Sequence, residues 1–373
     1  MVAPPRLDSP AKIPTPALLI DRARVRRNLE RMIEMAGGTD RLRPHVKTHK
    51  MPAVVRLSAT FGISRYKVAT IAEAEMVASA GGNDVLLAYP MVGPNIARMA
   101  RLLKAYPSTT FRAVVDDPSM LEALSEAVRE GGRALPVLID LDVGMGRTGI
   151  APGEAAEALY RKLATLPGLK PDGIHAYDGH IRDADPVARK ESARPGIEAT
   201  LQLRDRLLAA GLPVPRLVMG GTPSFPIHAA GGIPGVECSP GTCVFHDAGY
   251  ASTYADLPFE PAAYILTRVV SRPGPNRLCF DCGSKSIAAD PPAERRVALP
   301  DLPGAIFRGQ SEEHYVVEVD PETAGRFPPG TPTMALPWHI CPTSALHRTA
   351  LVVEDGAVVD HWDVTARDRM LGV

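Results

Sequence analysis

An excess of either charge is missing from this chain. Its 42 lysines and arginines balance 42 aspartates and glutamates over 373 residues, so no net field recruits nucleic acid or an anionic membrane. No apolar run approaches the ~20 residues that a membrane span needs. The stretch Met1 to Pro16 is punctuated by proline and has no apolar h-region, which argues against a secretory signal there. Cysteine is scarce and odd in number, at positions 238, 243, 279, 282 and 341, and the spacing shows no disulfide framework. There are no repeat arrays and no low-complexity tract. These absences leave an enzyme in a reducing cytoplasm as the expectation, with enough length for one large or two medium domains.

What is present is a rhythm. From Asp21 to about Pro240, short strand-like runs alternate with amphipathic helices. Asp21 can cap a helix whose Val25, Leu29 and Ile33 recur at i, i+4 and i+8, ended by Gly37-Gly38. A first strand is expected at residues 42–47, followed by a helix that Pro52 opens and Gly62 closes. Seven more strands are expected at 66–70, 84–89, 111–115, 136–141, 172–177, 216–219 and 235–238. Helices are expected between them, at 95–105, 118–129, 152–163 and 186–210. Eight such units in about 240 residues match a (β/α)8 TIM-like barrel. A doubly wound open sheet is the competing arrangement, disfavoured by the count of eight and by the lack of a G-x-G-x-x-G after the first strand.

After about Phe259 strands follow one another without helices, at 264–270, 277–281, 315–319, 333–336, 351–353 and 358–362. The last two flank a hairpin signal, Glu354-Asp355-Gly356-Ala357. The expected architecture is therefore α/β: a barrel over residues 21–258 and a C-terminal all-β domain over 259–373, with residues 1–20 packed on the latter.

Barrel active sites gather at the C-terminal ends of the strands, and phosphates bind in the loops after strands seven and eight. Candidate residues fall there. The segment Arg43-Pro44-His45-Val46-Lys47-Thr48-His49-Lys50 crowds lysine among imidazoles and cations, an environment that can turn an amine into a nucleophile toward an aldehyde. Lys47 is preferred because it extends the strand directly, whereas Lys50 leans into the next helix; a solvated basic loop is the plainer reading. The loop after the fifth strand, Asp142-Val143-Gly144-Met145-Gly146-Arg147-Thr148-Gly149, presents Arg147 among glycines. Tyr177 ends the sixth strand. Gly220-Gly221-Thr222-Pro223-Ser224 follows the seventh and Pro240-Gly241-Thr242 the eighth, a combination of open backbone N–H groups and hydroxyls suited to phosphate.

Near the far end His339 and Cys341 stand two apart. On a strand they would face one side and could chelate a single ion; a core cysteine beside a structural histidine is the plainer reading. A thiolate–imidazole pair selects zinc over magnesium, while manganese prefers oxygen. Two protein ligands leave positions open for substrate or water. Cys279 and Cys282 would face opposite sides of a strand and read as buried thiols.

The R-P-H-V-K-T-H-K segment, the Asp140–Gly149 loop and His339-Ile340-Cys341-Pro342-Thr343 together resemble the D-threonine aldolase and D-serine dehydratase family, pyridoxal-phosphate enzymes on an alanine-racemase-type barrel (fold type III) with a C-terminal β domain. The resemblance runs from Thr15-Pro16-Ala17-Leu18-Leu19 to Val359-Asp360-His361-Trp362. It implies that Lys47 holds pyridoxal 5'-phosphate, that His45, Arg147 and Tyr177 line the cofactor, and that Gly220, Gly221 and Thr222, with Gly241 and Thr242, cradle its phosphate. It further implies that His339 and Cys341 bind a divalent metal (Zn or Mn) beside the β-hydroxyl of a small β-hydroxy-D-amino acid. A homodimer is implied too, because family members complete each site across a subunit interface.

The family's two reactions part at the group that deprotonates the β-hydroxyl. Retro-aldol cleavage needs a base there and gives glycine and an aldehyde. Elimination instead uses Lys47 at the Cα proton and gives a 2-oxo acid and ammonia. The aldolase pattern has a histidine after the tyrosine, where this chain has Asp178; the candidates for the base are Asp178, His180 and a metal-bound hydroxide. Cys341 follows the dehydratase pattern, whereas Phe245-His246-Asp247-Ala248-Gly249-Tyr250 looks aldolase-like. Retro-aldol cleavage is the expectation, with D-serine or 3-hydroxy-D-aspartate dehydration as the alternative. A racemase and a non-catalytic pyridoxal-phosphate-binding protein are weaker readings: racemisation needs no metal at a β-hydroxyl, and the binding proteins resemble the barrel alone.

Overall fold

The computed structural model describes residues 3–373. Its strands are β1 (Ala17–Asp21), β2 (Arg65–Val68), β3 (Asp84–Leu87), β4 (Thr110–Val115), β5 (Leu135–Leu141), β6 (Leu169–Ala176), β7 (Leu217–Met219), β8 (Val236–Cys238), β9 (Ala263–Gly274), β10 (Arg277–Phe280), β11 (Val297–Ala298), β12 (Ile306–Gln310), β13 (Tyr315–Glu318), β14 (Pro332–Pro337), β15 (Thr349–Glu354) and β16 (Ala357–Asp363). The chain divides into two compact units. One holds the described residues up to Arg31, Thr48–Ala53 and Thr242–Arg367; the other holds Met32–Lys47, Val54–Gly241 and Asp368–Val373.

The second of these units is built on a parallel seven-stranded sheet in the order β2-β3-β4-β5-β6-β7-β8. Helices lie between successive strands, including Pro94–Ala105, Pro118–Val128, Glu154–Leu163 and Pro186–Ala209. Three of these four begin with proline at the first turn, where its missing N–H costs nothing. The expected eighth strand, at 42–47, is not a regular strand. Pro44 has no N–H to give a ladder, and only two bridges form, Leu42 with Cys238 and His45 with Lys67. They suffice to join the edges of the sheet: Arg43 N and His45 N donate to the Cys238 and Pro240 carbonyls, and Lys67 N donates to Pro44 O, each at 2.9 Å. Eight segments therefore run around the barrel, and a 3-10 turn, Val46–Thr48, follows the irregular one.

Side chains two apart on a strand share a face, which stacks the interior in layers. Asp84 and Arg112 lie two residues before Leu86 and Val114, and Leu138 lies two before Asp140. Leu86, Val114, Leu138 and Val218 form a fully buried aliphatic layer. At the strand starts lies a closed ring of alternating charge. Arg43 pairs with Glu237 (2.6 Å) and Asp84 (2.7 Å), Arg112 with Asp84 (2.8 Å) and with Asp172, and Arg216 with Asp172 (3.0 Å) and Glu237 (3.4 Å). Burial alone would raise the Asp84 carboxyl, but Arg112 and Arg43 hold it well below the usual range.

The other unit carries a nine-stranded mixed sheet, β12-β13-β10-β9-β1-β15-β16, with β14 also on β9 and β11 on β14. Leu19, Tyr264, Leu266, Met334, Leu336 and Val353 bury one apolar cluster there. The hairpin β15–β16 turns at Asp355 (φ 50°) and Gly356 (φ 87°), the left-handed pair that an Asp-Gly turn supplies. The unit is not wholly β, because short helices Pro321–Arg326 and Ile340–Leu346 interrupt the strands.

Candidate active site

Three cations converge on one phenol ring at the barrel mouth. Arg147 Cζ lies 5.1 Å from the Tyr177 ring centroid, Lys67 Nζ 5.4 Å and Lys47 Nζ 5.8 Å, within the range of cation–π attraction. Tyr177 follows the last residue of β6 directly. Its ring leaves no room for a side chain at Gly179, where an added Cβ would meet it at 2.3 Å, and little at Gly221, where the distance is 3.1 Å; the lack of a Cβ lets the ring lie there. Arg147 is carried by a loop whose shape Asp142 sets, its Oδ1 accepting the Gly144 and Gly146 N–H groups at 2.9 and 3.0 Å. Lys47 lies in the 3-10 turn, not on a strand, and the His45 Nδ1 accepts its N–H at 3.3 Å. Lys50 belongs to the other unit, with its Nζ donating to Ala366 O at 3.5 Å.

The phosphate-type loop after β7 is held from behind. Asp178 Oδ1 accepts from Ser224 Oγ (2.7 Å) and Oδ2 pairs with His228 Nε2 (2.7 Å), while Ser224 Oγ accepts from Gly221 N (3.1 Å). Gly241 N donates to Thr222 Oγ1 at 3.2 Å, tying the loop after β8 to it. Asp178 is thereby placed differently from the base expected of it. It is buried, both oxygens are occupied, and although burial alone would raise it, His228 and Ser224 keep its carboxyl below the usual range. His180 is more available. Its ring packs on Gly144, whose added Cβ would lie 2.7 Å from Nε2, and its Nδ1 has no protein partner among the described residues. Thr242, expected at the phosphate, opens a turn of the other unit, with Oγ1 3.6 Å from Cys341 Sγ.

Lys67 was not among the residues expected from sequence. It lies inside β2 and is 2% exposed. Its Nζ donates to Ser239 Oγ at 2.5 Å and lies 3.5 Å from His175 Nε2, whose Nδ1 is 2.6 Å from Asp140 Oδ1; Thr148 Oγ1 donates to the other Asp140 oxygen at 3.0 Å. Burial, then the charge of Lys47, brings the Lys67 amine down to about 7. A lysine between the apolar Tyr66 and Val68 of a short strand, at a position pointing into the barrel, was the available signal.

In the other unit His339 and Cys341 do come together, on different backbone from that expected. His339 caps the helix Ile340–Leu346 and Cys341 is in its first turn, so a helix start and not a strand presents them. Cys341 Sγ lies 3.2 Å from Thr48 Oγ1. Burial would raise this thiol, but the hydrogen bond and charge of His339 bring it below its ordinary value; burial would lower the imidazole, but Cys341 and Asp290 raise it to about 9. His339 Nδ1 is 2.5 Å from Asp290 Oδ2, a carboxylate contact of the kind that orients an imidazole. Asp247, pushed up to about 6 by burial, accepts Ile340 N at 3.0 Å and steadies the helix start. No group of three or more His, Cys, Asp or Glu side chains suited to a metal occurs among the described residues. Cys279 and Cys282 are buried free thiols.

Comparison with known proteins gives consistent results. A family model described as the alanine racemase N-terminal domain matches residues 20–248, and one for a serine dehydratase domain matches residues 262–353. A D-threonine aldolase of Arthrobacter sp. is 32% identical over 96% of this chain and 94% of its own length. The crystal structure of D-threonine aldolase from Filomicrobium marinum superposes with a TM-score of 0.88, at 31% identity and 96% coverage of each chain. D-threo-3-hydroxyaspartate dehydratase from Delftia sp. HT23 superposes with a TM-score of 0.85, at 27% identity over 95% of this chain and 98% of its own. A variant of a dehydratase of that name has been solved in a metal-free form.

Proposed function

The chain belongs to the pyridoxal-phosphate-dependent family that joins an alanine-racemase-type barrel to a serine dehydratase domain, and from that premise we propose that it is a metal-assisted lyase cleaving β-hydroxy-D-amino acids to glycine and an aldehyde. The observation that carries this reading is the convergence of Lys47 and Arg147 on Tyr177, whose ring is seated by Gly179 and Gly221 beside the Gly220–Ser224 loop. The mouth fits the cofactor: an amine for an aldehyde carbon, an aromatic ring and a guanidinium for a planar heterocycle, and a glycine–hydroxyl loop for a phosphate.

When bound, pyridoxal phosphate supplies an electron sink for the charge that develops as the Cα–Cβ bond breaks. Lys47 provides the amine that anchors the aldehyde, Tyr177 and Arg147 orient the ring, and Gly220, Gly221 and Thr222 receive the phosphate, with Gly241 buttressing Thr222. Asp178 keeps that loop in shape through Ser224 and His228. His180 takes the proton from the substrate β-hydroxyl, a role in keeping with an Nδ1 that has no protein hydrogen-bond partner among the described residues. His339 and Cys341 would hold a divalent ion, which would supply Lewis acidity; the sulfur–imidazole pair suits zinc better than manganese, and Asp290 orients the imidazole. We place the enzyme in the cytoplasm, in keeping with five free thiols, and take it to be a homodimer on the family resemblance.

The test is incubation of the protein with pyridoxal phosphate, zinc and D-threonine. Glycine and acetaldehyde are expected, and borohydride reduction followed by peptide mapping should tag Lys47. The commitment of both Asp178 oxygens favours one second reading, elimination, because it leaves one fewer base at the hydroxyl. In that case 2-oxobutanoate and ammonia appear instead. Chelation should abolish turnover while cofactor absorbance is kept.

A further inference from the structure

The family's cofactor lysine is accompanied in this chain by a second amine whose surroundings are unusual for a buried cation. Lys67 has hydrogen-bond partners in Ser239 and His175, and among the described residues no carboxylate is in ion-pair contact with it. The groups facing it come from every neighbouring segment: His45, paired with it through the backbone, and Lys47 from the irregular segment, Asp140 from β5, Arg147 from the loop beyond, His175, Tyr177 and Asp178 from β6, and Ser239 after β8. Asp140 makes its hydrogen bond to the His175 ring and not to the amine, although its charge and that of Asp178 favour the ammonium form. Ser239 Oγ also donates to the Gly220 carbonyl at 3.0 Å, so the amine is one hydrogen bond removed from the phosphate-type loop.

A charge buried without a counterion is costly unless something else compensates it. The ring at the other end of the barrel shows that this fold can pair buried cations with carboxylates. At the mouth the carboxylates are instead engaged, Asp140 with His175 and Thr148, Asp178 with His228 and Ser224. The compensating anion is therefore to be sought in what binds.

We infer that Lys67 is a positioning residue of this mouth: from its place against the Tyr177 ring it supplies a positive charge that strengthens the hold on an anionic pyridoxal phosphate. The inference rests on the proposed cofactor reading and deepens it. Lys67 need not touch the ligand; it acts through Tyr177, through the Gly220 loop and through the field at the mouth. Its charge is present below about 7 and lost above, so the extra affinity belongs to the acid side of neutrality.

The experiment measures the dissociation constant of pyridoxal 5'-phosphate from the full chain by equilibrium dialysis, at about pH 6 and about pH 8.5, on either side of the Lys67 ionisation. Lys67→Met should weaken binding about tenfold at the lower pH, the scale of one opposite charge in a partly screened site, and hardly at all at the higher. Lys67→Arg, which keeps the charge at both, should hold the tight value throughout. A ratio of variant to wild-type constants that stays the same at the two pH values for both substitutions would overturn the inference while leaving the cofactor reading intact. If the wild type itself binds no pyridoxal phosphate at either pH, the cofactor reading falls and the inference with it. Should Lys67→Met not fold, Lys67→Arg against wild type still decides: a wild-type affinity that does not drop from the lower to the higher pH relative to the arginine variant sinks the proposal.

Discussion

The two ends of the barrel interior bury charge in opposite ways. At the strand starts, Arg43, Asp84, Arg112, Asp172, Arg216 and Glu237 close a ring in which every cation has two carboxylate partners. At the strand ends, Lys67 has a hydroxyl and an imidazole in place of carboxylates. The Leu86–Val114–Leu138–Val218 layer separates the two. A closed ring matches its charges within the protein and leaves none over for a ligand. An incompletely matched cluster has affinity left over for something from outside. This contrast agrees with the rule that barrel conservation of function belongs to the strand ends and stability to the strand starts.

That contrast can be broken by substitution. The largest effect is expected at Lys47: Lys47→Ala should cut turnover about 10⁴-fold, roughly 5 kcal/mol at 1.36 kcal/mol per decade, with the melting temperature hardly moved. If turnover survives, the mouth is not the active site. At the other end Arg112→Met should destabilise the fold by about 3–5 kcal/mol, because it takes from buried Asp84 and Asp172 one of the two cations each has and leaves the ring with excess negative charge, and should leave kcat of the folded fraction alone. Denaturant melts together with assays separate the two.

Lys67→Met should do the reverse of Arg112→Met and stabilise the cofactor-free protein by about 1–4 kcal/mol near neutrality, since it removes a buried charge that lacks a carboxylate. The sign with pH follows from linkage. The folded amine titrates near 7 and the unfolded one near 10.4, so folding releases a proton between those values. The cost of burying the charge is therefore full below about pH 7 and fades as the pH rises toward 10. The advantage of the methionine variant over wild type should shrink over the same interval; an advantage independent of pH would show that packing and not charge is responsible. Smallest of all, Thr148→Ala removes one of two groups on Asp140 and should cost about 1 kcal/mol, read as a small drop in denaturant midpoint.

Much of the barrel was legible along the chain. Seven of the strands fall within a few residues of where alternation and turn residues put them, and helices begin at Pro52, Pro94, Pro118 and Pro186 because proline is tolerated only at a first turn. The irregular segment at Leu42–Lys47 was harder, because Val46 and Lys47 read as strand continuation while Pro44 removes the ladder. His339 and Cys341 show the same limit: two apart is a same-face spacing on a strand, but a helix start can also bring the pair together when Asp247 holds Ile340 N. Asp178 could be located after Tyr177, but not its commitment to Ser224 and His228, which lie 46 and 50 residues further on.

By itself the order of residues determined the alternation of strand and helix, the strand-rich C-terminal part, and the loops that carry Lys47, Arg147, Tyr177 and the glycines, since each depends on neighbours a few positions away. Only the tertiary structure decided that Lys67, Asp140, His175 and Ser239 meet, and that six charges at the opposite end close a ring. Those groups come from strands far apart in the chain, and which of them become neighbours is set by the register and closure of the barrel, a property of the whole sheet and of no single segment.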